Sequence, residues 1–548
     1  MCNNVSMENK QITRKDYTTW GASYQLSLPL NIECRIPAND SVRLLRHFIG
    51  RMDLRELYAT YSRIEKKKAS PRQMLVIVVY ANMNGIRSSR KIESACKRDI
   101  NFMYLLEGKP APDHSAIARF KQFHLAPCMK NLFAGMCLSL DGMGELSGEQ
   151  LFIDGTKIES CANKYTFVWK KSVTKQMGKL MEKIPDLFAE ATEDFGIRLD
   201  CPEGIRLRHM KRLRRRLKAY RKREEIGFVH GSGKRKTALQ KLVEKLDEAI
   251  RRIKDYTKKL YIAGNRNSYS KTDKDATFMR MKEDAMKNGQ LKPAYNLQVG
   301  VDAQYVVWVT EGPQPSDTTT LIPFLEDFEA HTGKKYPRIV ADAGYESEEN
   351  YLWLEGRGQE AYIKPANYET SKKRSAKKDI GRRENMAYDP EEDSYTCANG
   401  KKLTVTGTRR CKTKTGYVSE KTQYVCADCK GCPRKAECIR AGTSKTSLEE
   451  RSKRFEVAKE FQEQRAKALA RITSPEGIEL RVNRSIQAEG AFAQTKGNLS
   501  FRRFLSRGRK NILVESMLLA MAHNMICLHH KIQAGKEVRY LFPVAVAA

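Results

Sequence analysis

The sequence lacks the features of membrane and secreted proteins. Its longest apolar runs, such as residues 74–81 (MLVIVVYA), are well short of the roughly 18 residues that a membrane helix needs. Its first residues, MCNNVSMENK, do not show the basic and then apolar pattern of a secretory signal. We therefore expect a soluble chain without a membrane partner, in a reducing cytoplasm where its 14 Cys form no disulfides.

Motifs for two common chemistries are also missing. The 9 His form no H-x-E or H-E-x-x-H arrangement, so zinc hydrolase chemistry has no basis. No G-x-x-x-x-G-K-[ST] loop occurs, so ATP-driven activity is not indicated.

What the sequence has in excess is positive charge. Its 548 residues carry 100 Lys+Arg against 65 Asp+Glu, a net charge of 100 − 65 = +35, in a composition that is 41% hydrophobic and therefore globular. Such a charge on a folded chain favours a polyanionic partner, and nucleic acid is the commonest one. A basic surface that serves only solubility is the alternative.

Residues 40–145 show the punctuation of short helices. Ser70 and Pro71 fit an N-cap and first turn, Gly85 fits a stop, and Asp113 fits a further N-cap. Clusters of small basic helices include helix-turn-helix DNA readers as well as plain scaffolds. We predict an all-α N-terminal DNA-binding domain over residues 40–145.

The next segments mix strands with a basic helical region. Residues 149–160 predict a buried strand that ends in a turn at Asp154. Heptad-like spacing between about 205 and 260 predicts a helical hairpin, and residues 201–260 hold 21 Lys+Arg against 7 Asp+Glu. This excess indicates either an arm that follows DNA or a solvated helix face.

From residue 293 the pattern predicts a mixed α/β sheet. A strand hairpin, a helix, a strand that ends at Asp342, a second helix and a further strand follow one another up to about residue 365. A cysteine-dense segment comes next, and the chain looks helical from about 450 to 532.

Three acids stand in unusual contexts. Asp154 and Asp342 each follow a short apolar run, where a carboxylate is costly unless it is paired or binds metal. Glu489 is the single acid among 8 Lys+Arg in residues 481–510. The alternatives are capping by the two Asp and a salt-bridged surface for the Glu.

Four blocks of sequence together resemble the DDE transposases of bacterial insertion sequences, in the group whose catalytic domain bears cysteines. They are MNGIRSSRKIESACKRDINFMYLLEGKPAPDHSAIARF, FIDGTKIESCANKYTFVWKK, IVADAGYESEENYLWLE and AEGAFAQTKGNLSFRRFLSRGRKN. The first resembles the helical domain before the catalytic core, and the others resemble the segments of the first, second and third acids. The resemblance spans most of residues 40–530.

The resemblance implies a fold: a ribonuclease-H-like mixed α/β sheet in two parts, residues 146–368 and 450–532. Asp154 would lie on its first strand, Asp342 after its fourth, and Glu489 on a late helix. A basic helical hairpin would be inserted over residues 166–272, and a small cysteine-rich, zinc-binding segment over residues 390–442.

The resemblance also implies an activity: binding of the element's ends, then metal-dependent strand cleavage and strand transfer. Asp154, Asp342 and Glu489 would be catalytic and would hold two Mg²⁺ or Mn²⁺ ions. The basic residues expected to contact DNA are Lys496, Arg484, Arg502, Arg503 and Arg507. One departure concerns Arg484, which stands one residue farther from the Glu than the superfamily's Arg does.

The cysteines predict a structural metal site. Cys426, Cys429, Cys432 and Cys438 form C-x2-C-x2-C-x5-C, and four thiolates suit tetrahedral Zn²⁺. Free thiols and an iron–sulfur cluster are the alternatives. Cys397 and Cys411 are substitute ligands.

Further acids are interpreted as structural or secondary, namely Asp273, Asp275, Asp302 and Asp317. The expected partner is double-stranded DNA, both element ends and target, bound by a homodimer or larger assembly at the nucleoid. A non-enzymatic zinc-containing DNA-binding regulator is the main alternative, followed by a coiled-coil assembly protein and an inactivated transposase.

Overall fold

A computed structural model describes residues 35–201, 204–231, 233–281, 289–440, 446–493, 497 and 501–539. Its first part is helical, as predicted. Ser70 caps a helix by accepting a hydrogen bond from the Gln73 backbone N–H, and Asp113 caps another by accepting from Ala116. A π-helical stretch, Phe120–Leu125, joins the last two helices of this region. The helices are α1 (Ser41–Arg51), α2 (Arg55–Ala59), α3 (Pro71–Met83), α4 (Ser89–Arg98), α5 (Ile100–Leu106), α6 (His114–Arg119) and α7 (Ala126–Gly142).

The middle of the chain forms a six-stranded mixed sheet and a separate two-stranded one. The strands are β1 (Gln150–Glu159), β2 (Phe167–Trp169), β3 (Ser268–Ser270), β4 (Thr277–Arg280), β5 (Leu291–Asp302), β6 (Tyr305–Gly312), β7 (Arg338–Ala341) and β8 (Glu360–Ile363). In the large sheet β5 lies antiparallel to β1, β4 and β6, whereas β1, β7 and β8 are parallel. The short pair is β2 and β3. The predicted mixed α/β fold with a helical N-terminal region is therefore confirmed.

The prediction that the first strand ends at Asp154 is wrong. β1 continues for five residues beyond it, because residues 155–159 pair with residues 294–298 of β5. Gly155 takes part in this ladder in place of forming a turn. The hairpin of β5 and β6 is confirmed, and its two turn residues, Ala303 and Gln304, both have positive φ.

Helices are inserted between β2 and β3. They are α8 (Lys170–Phe195), α9 (Leu207–Arg223) and α10 (Ala238–Ala263). The expected pair α9 and α10 packs along Met210, Leu213 and Leu217, and α8 adds a third helix to their shared core. We call α8, α9 and α10 the three-helix unit.

Two helices pack beside the large sheet, α11 (Leu321–Thr332) and α12 (Glu348–Gly356), and two short ones follow it, α13 (Tyr368–Ser371) and α14 (Arg374–Lys378). A five-stranded sheet then carries the cysteine segment. Its elements are β9 (Ala387–Asp389), β10 (Ser394–Thr396), β11 (Lys402–Lys412), β12 (Val418–Val425), α15 (Lys435–Cys438) and β13 (Arg454–Val457). The prediction of helix from about 450 is wrong at β13, which pairs with β12 and completes this sheet.

The last helices that the structure describes are α16 (Lys459–Thr473), α17 (Pro475–Ala493) and α18 (Arg509–Gln533). α18 is long and apolar enough to cross a membrane, which the sequence analysis did not foresee. However, 72% of its apolar window is buried inside the protein, and it packs against α3, α7 and β6. Its position is therefore that of a buried core helix.

A buried ion pair joins α18 to the loop before β1. Lys531 Nζ lies 2.8 Å from Glu145 Oε2, and the two side chains are 9% and 2% exposed. Tyr305 also donates to this carboxylate.

Lys531→Met leaves the buried charge of Glu145 without its ion-pair partner, so we expect the free energy of unfolding, measured by urea titration, to fall by about 3–5 kcal/mol.

The control is Lys68→Met, which breaks the exposed pair with Glu65 and should leave the unfolding midpoint unchanged. Equal midpoints for Lys531→Met and the wild type would contradict the prediction.

Candidate active site

The pairing of β1 with β7 brings the first two predicted acids together. The last register pair of these parallel strands is Ile153 with Ala341; Asp154 is the next residue of β1, and Asp342 directly follows β7. Neighbouring strands lie about 4.8 Å apart, so the two acids project from adjacent positions. Asp342 then begins a 3-10 turn, Ala343–Tyr345, by accepting a hydrogen bond from the Gly344 N–H at 2.6 Å.

Asp154 has a basic partner on α17. Arg484 Nη1 lies 3.6 Å from Asp154 Oδ2, and the two side chains are only 17% and 13% exposed. The other carboxylate oxygen accepts a hydrogen bond from the Gly155 N–H at 2.8 Å. Arg484, which the sequence analysis named as a DNA contact, thus neutralises part of the charge of the first acid.

Glu489 does not join this pair in a three-acid group among the described residues. It follows Arg484 by five residues, which turns its side chain about 140° around the helix. The face of α17 that meets the sheet includes Asn483 and Gln487, which are 2% and 5% exposed, whereas Glu489 is exposed. The role of Glu489 stays a prediction.

A carboxylate that the sequence analysis set aside lies next to the two acids. Asp317 Oδ1 accepts hydrogen bonds from Asn296 Nδ2 at 2.6 Å and from Gln298 Nε2 at 3.0 Å. A Cβ on Gly155 would lie 2.8 Å from Asp317 Oδ1, and one on Gly344 would lie 3.3 Å from Asp317 Oδ2. Asp317 therefore fills the space beside the residues that follow both acids.

Tyr345 completes this cluster. Burial raises its pKa well above the ordinary value, and the charges of Asp317, Asp154 and Asp342 add to the effect. The protonated hydroxyl donates to Gln298 Oε1, while Asn350 Nδ2 donates to the Tyr345 carbonyl at 2.6 Å. The turn that carries Asp342 is thus held by polar groups on both sides.

The sequence held one signal for Asp317. Asn296 and Gln298 are two polar residues on one face of β5, within its largely apolar middle part, and each is 1% exposed. Buried amides need partners, so this pattern predicts a polar group across from them. Asn296 Oδ1 has no hydrogen-bond partner among the described residues. Two of the other acids set aside, Asp273 and Asp302, are buried and accept hydrogen bonds from Tyr295 and Tyr336, which agrees with a structural role.

Three of the predicted DNA-contacting arginines, Arg502, Arg503 and Arg507, lie in the segment after α17. Arg503 donates to the carbonyls of Ser160 and Ala162, and Arg507 donates to that of Cys161 at 2.8 Å. These hydrogen bonds hold the segment against the residues that directly follow β1. Arg502 is exposed, and Lys496 lies outside the described residues.

Five cysteines gather beside the five-stranded sheet around one cavity, namely Cys397, Cys426, Cys429, Cys432 and Cys438. Burial, with the neighbouring Cys429 thiol, raises the pKa of Cys426 to about 11. Two donors point at sulfurs: the Lys453 N–H lies 3.3 Å from Cys429 Sγ, and Asn399 Nδ2 lies 3.6 Å from Cys432 Sγ. Cys411 lies on β11 and does not line the cavity.

Neither the pair of acids nor the group of five cysteines is arranged as a complete metal site. Over the part of the chain that the structure describes, no three or more His, Cys, Asp and Glu side chains lie in a metal-binding arrangement. The two acids and the five thiols nevertheless offer donor sets of different chemistry, hard oxygens in one place and soft sulfurs in the other.

Two family models match the chain. One, described as a transposase DDE domain, matches residues 396–529, which include Glu489 and all five clustered cysteines but neither Asp154 nor Asp342. The other, described as a transposase domain (DUF772), matches residues 30–123 in the helical N-terminal region. No curated protein and no solved structure matches the chain. The two matches, one near each end, indicate a DDE transposase of an insertion sequence.

Proposed function

We propose that this transposase cleaves DNA at the ends of its element and joins them to target DNA through Asp154, Asp342 and Glu489. The observation that carries the proposal is the β1–β7 register, in which Asp154 and Asp342 directly follow the last pair, Ile153 with Ala341. Strand ends of open sheets are where ligands bind, and a sheet edge with two acids suits a metal-dependent reaction at phosphorus.

The strand order supports a ribonuclease-H-like core. Across the large sheet it runs β6, β5, β1, β7, β8, with two antiparallel pairs followed by two parallel ones. If the inserted strands β2, β3 and β4 are set aside, Asp154 lies on the first core strand and Asp342 directly follows the fourth. These are the positions that the resemblance implies.

The acids fit the metals that the resemblance implies. Carboxylate oxygens are the ligands that Mg²⁺ and Mn²⁺ prefer, and Asp154 and Asp342 would hold them, with Glu489 as the third ligand. When bound, such ions activate an attacking water or 3′-hydroxyl and stabilise the leaving oxygen. Arg484 keeps a positive charge beside Asp154, and the Asp317 network holds the turn of Asp342 in place.

We assign the remaining regions within the same proposal. Residues 40–145 bind element ends, the core is formed by residues 146–368 and 450–532, and the protein acts as a homodimer or larger assembly on DNA at the nucleoid. Arg502, Arg503, Arg507 and Lys496 contact phosphates near the third acid. The match of a transposase domain over residues 30–123 supports the first assignment.

The cysteine segment, residues 390–442, binds Zn²⁺ in this proposal. The soft thiol donors suit zinc, and Cys426, Cys429, Cys432 and Cys438 share one cavity with Cys397. Hydrogen bonds from Lys453 and Asn399 to two of the sulfurs are of the kind that stabilises metal-bound thiolates.

Removing a catalytic charge should abolish cleavage without abolishing binding. We expect Asp154→Asn, Asp342→Asn and Glu489→Gln each to stop Mg²⁺-dependent nicking of a duplex that carries one element end, while its affinity stays close to wild type. Gel assays of cleavage and fluorescence anisotropy measure the two properties separately.

Glu479→Gln is the matched control for the third acid, because Glu479 is exposed on the same helix. Full cleavage by Glu489→Gln would remove Glu489 from the site. End binding without any cleavage by the wild-type chain would instead favour the DNA-binding regulator.

Asp317 should act as a positioning residue for Asp342. Asp317→Ala leaves the amides of Asn296 and Gln298 without their acceptor, which costs about 1–3 kcal/mol for each buried group. We expect the turn that carries Asp342 to shift and the cleavage rate to fall at least about tenfold, which corresponds to a rise of about 1.4 kcal/mol in the activation barrier. Single-turnover cleavage at saturating protein measures this rate independently of DNA affinity.

Asp317→Asn keeps a carbonyl acceptor and should restore a large part of the rate lost in Asp317→Ala. The exposed Asp186→Ala on α8 is the neutral control. Equal rates for Asp317→Ala and the wild type would show that the network does not position Asp342.

The zinc assignment predicts about one Zn²⁺ per chain when the full-length protein is purified without chelator. Cys429→Ser should lower the zinc content, since it removes a ligand, whereas Cys411→Ser should not. Plasma mass spectrometry gives the metal content directly. Iron in place of zinc would indicate a cluster, and a metal-free protein with titratable thiols would overturn the assignment.

A further inference from the structure

α9 is the most strongly basic helix that the structure describes. Ten of its 17 residues are Lys or Arg, and none is Asp or Glu. Its apolar side is fully used, because Met210, Leu213 and Leu217 are each 0% exposed against the rest of the three-helix unit. The opposite side of the helix is therefore not part of this apolar core.

Four of these bases form one line along the exposed side. Lys211, Arg215, Lys218 and Lys222 recur at steps of 4, 3 and 4 residues and are all exposed. Over 11 residues, at 1.5 Å per residue, the line is about 16 Å long. We call these four residues the basic stripe.

Other bases of α9 are engaged elsewhere. Arg214 forms an ion pair with Asp247 of α10, Arg216 donates to the Arg198 carbonyl, and Arg221 donates to the Ile226 carbonyl. These contacts lie beside the stripe and hold the unit together. The stripe itself is left to face solvent.

The neighbouring helix shows what an ordinary solvated face looks like. α10 carries seven Lys and Arg with four Asp and Glu, and its Arg252 and Lys259 pair with Glu248 and Asp255 one turn earlier. Such pairs stabilise an exposed helix. Both helices belong to one unit and meet the same solvent, so solubility does not account for the difference between them.

The arrangement on α9 costs stability. Like charges four residues apart, as in Lys211 with Arg215 and Lys218 with Lys222, repel one another. The bases near the start of the helix also oppose its dipole. A polyanion that binds along the stripe would remove both costs.

We propose that the basic stripe binds the phosphate backbone of duplex DNA, independently of its sequence. The proposal rests on the transposase function proposed above and adds a second DNA contact, outside the catalytic core. A membrane-surface helix would need a free apolar side, which α9 does not have. A line about 16 Å long spans close to half of a 34 Å turn of B-DNA.

The test removes the four charges without removing the helix. In the stripe variant, Lys211→Gln, Arg215→Gln, Lys218→Gln and Lys222→Gln are combined, because Gln is a good helix former. The probe is a fluorescent duplex of random sequence, titrated with full-length protein between about 50 and 200 mM salt. We expect the slope of log K against log salt to flatten by about 0.9 for each lost contact, and so by about 3.6 in all.

A matched variant removes the same charge from the same unit. Lys241→Gln, Arg251→Gln, Lys254→Gln and Lys258→Gln lie on the exposed, charge-mixed side of α10 and should change the slope by less than one contact's worth. Circular dichroism shows whether either variant loses helix. Equal slopes for the stripe variant and the α10 variant would contradict DNA binding by the basic stripe. A stripe variant that loses binding to anionic vesicles while its DNA binding is unchanged would contradict it as well.

Failure of the stripe and failure of the proposed function give different results. If the stripe variant binds as the wild type does while the wild type cleaves end DNA, only the stripe is wrong. If the wild type binds random duplex with the stripe-dependent slope but does not cleave its end DNA, the stripe stands and the catalytic proposal fails.

Discussion

The pairing of β1 on both of its edges is the interaction on which the rest of the molecule depends. On one side β1 is antiparallel to β5 for eight residue pairs, and on the other it is parallel to β7 for four. The shorter pairing ends at Ile153, and the same edge of β1 is paired again at Glu159, by an isolated parallel bridge to Arg503. Because β7 ends at Ala341, the sheet opens beside Asp154 and Asp342, and Tyr345 and Asp317 have room to enter.

The sequence predicted the parts that depend on local chemistry. Capping by Ser70 and Asp113, the β5–β6 hairpin and the position of Asp342 after a buried strand all follow from short patterns, and the structure confirms them. Asp154 was harder. A Gly after an acid suggests a turn, but pairing with distant residues of β5 keeps Gly155 extended.

The remaining differences have the same origin in contacts between distant segments. Asp317 resembles a residue at a helix start until β5 brings Asn296 and Gln298 against it. β13 is short and follows a polar stretch, and only its ladder with β12 makes it a strand. Periodicity located Glu489 on a helix, whereas the orientation of that helix is decided by how Asn483 and Gln487 pack against the sheet.

The close approach of Gly155 and Asp317 links the substitutions that the two positions can accept. With Asp317 in place, any residue larger than Gly at 155 would put a Cβ within 2.8 Å of its carboxylate. With a shorter residue at 317, the amides of Asn296 and Gln298 would lose their acceptor. Descendants of this chain could therefore change Gly155 only after, or together with, Asp317 and its amide partners, and we expect these positions to covary as one unit among relatives.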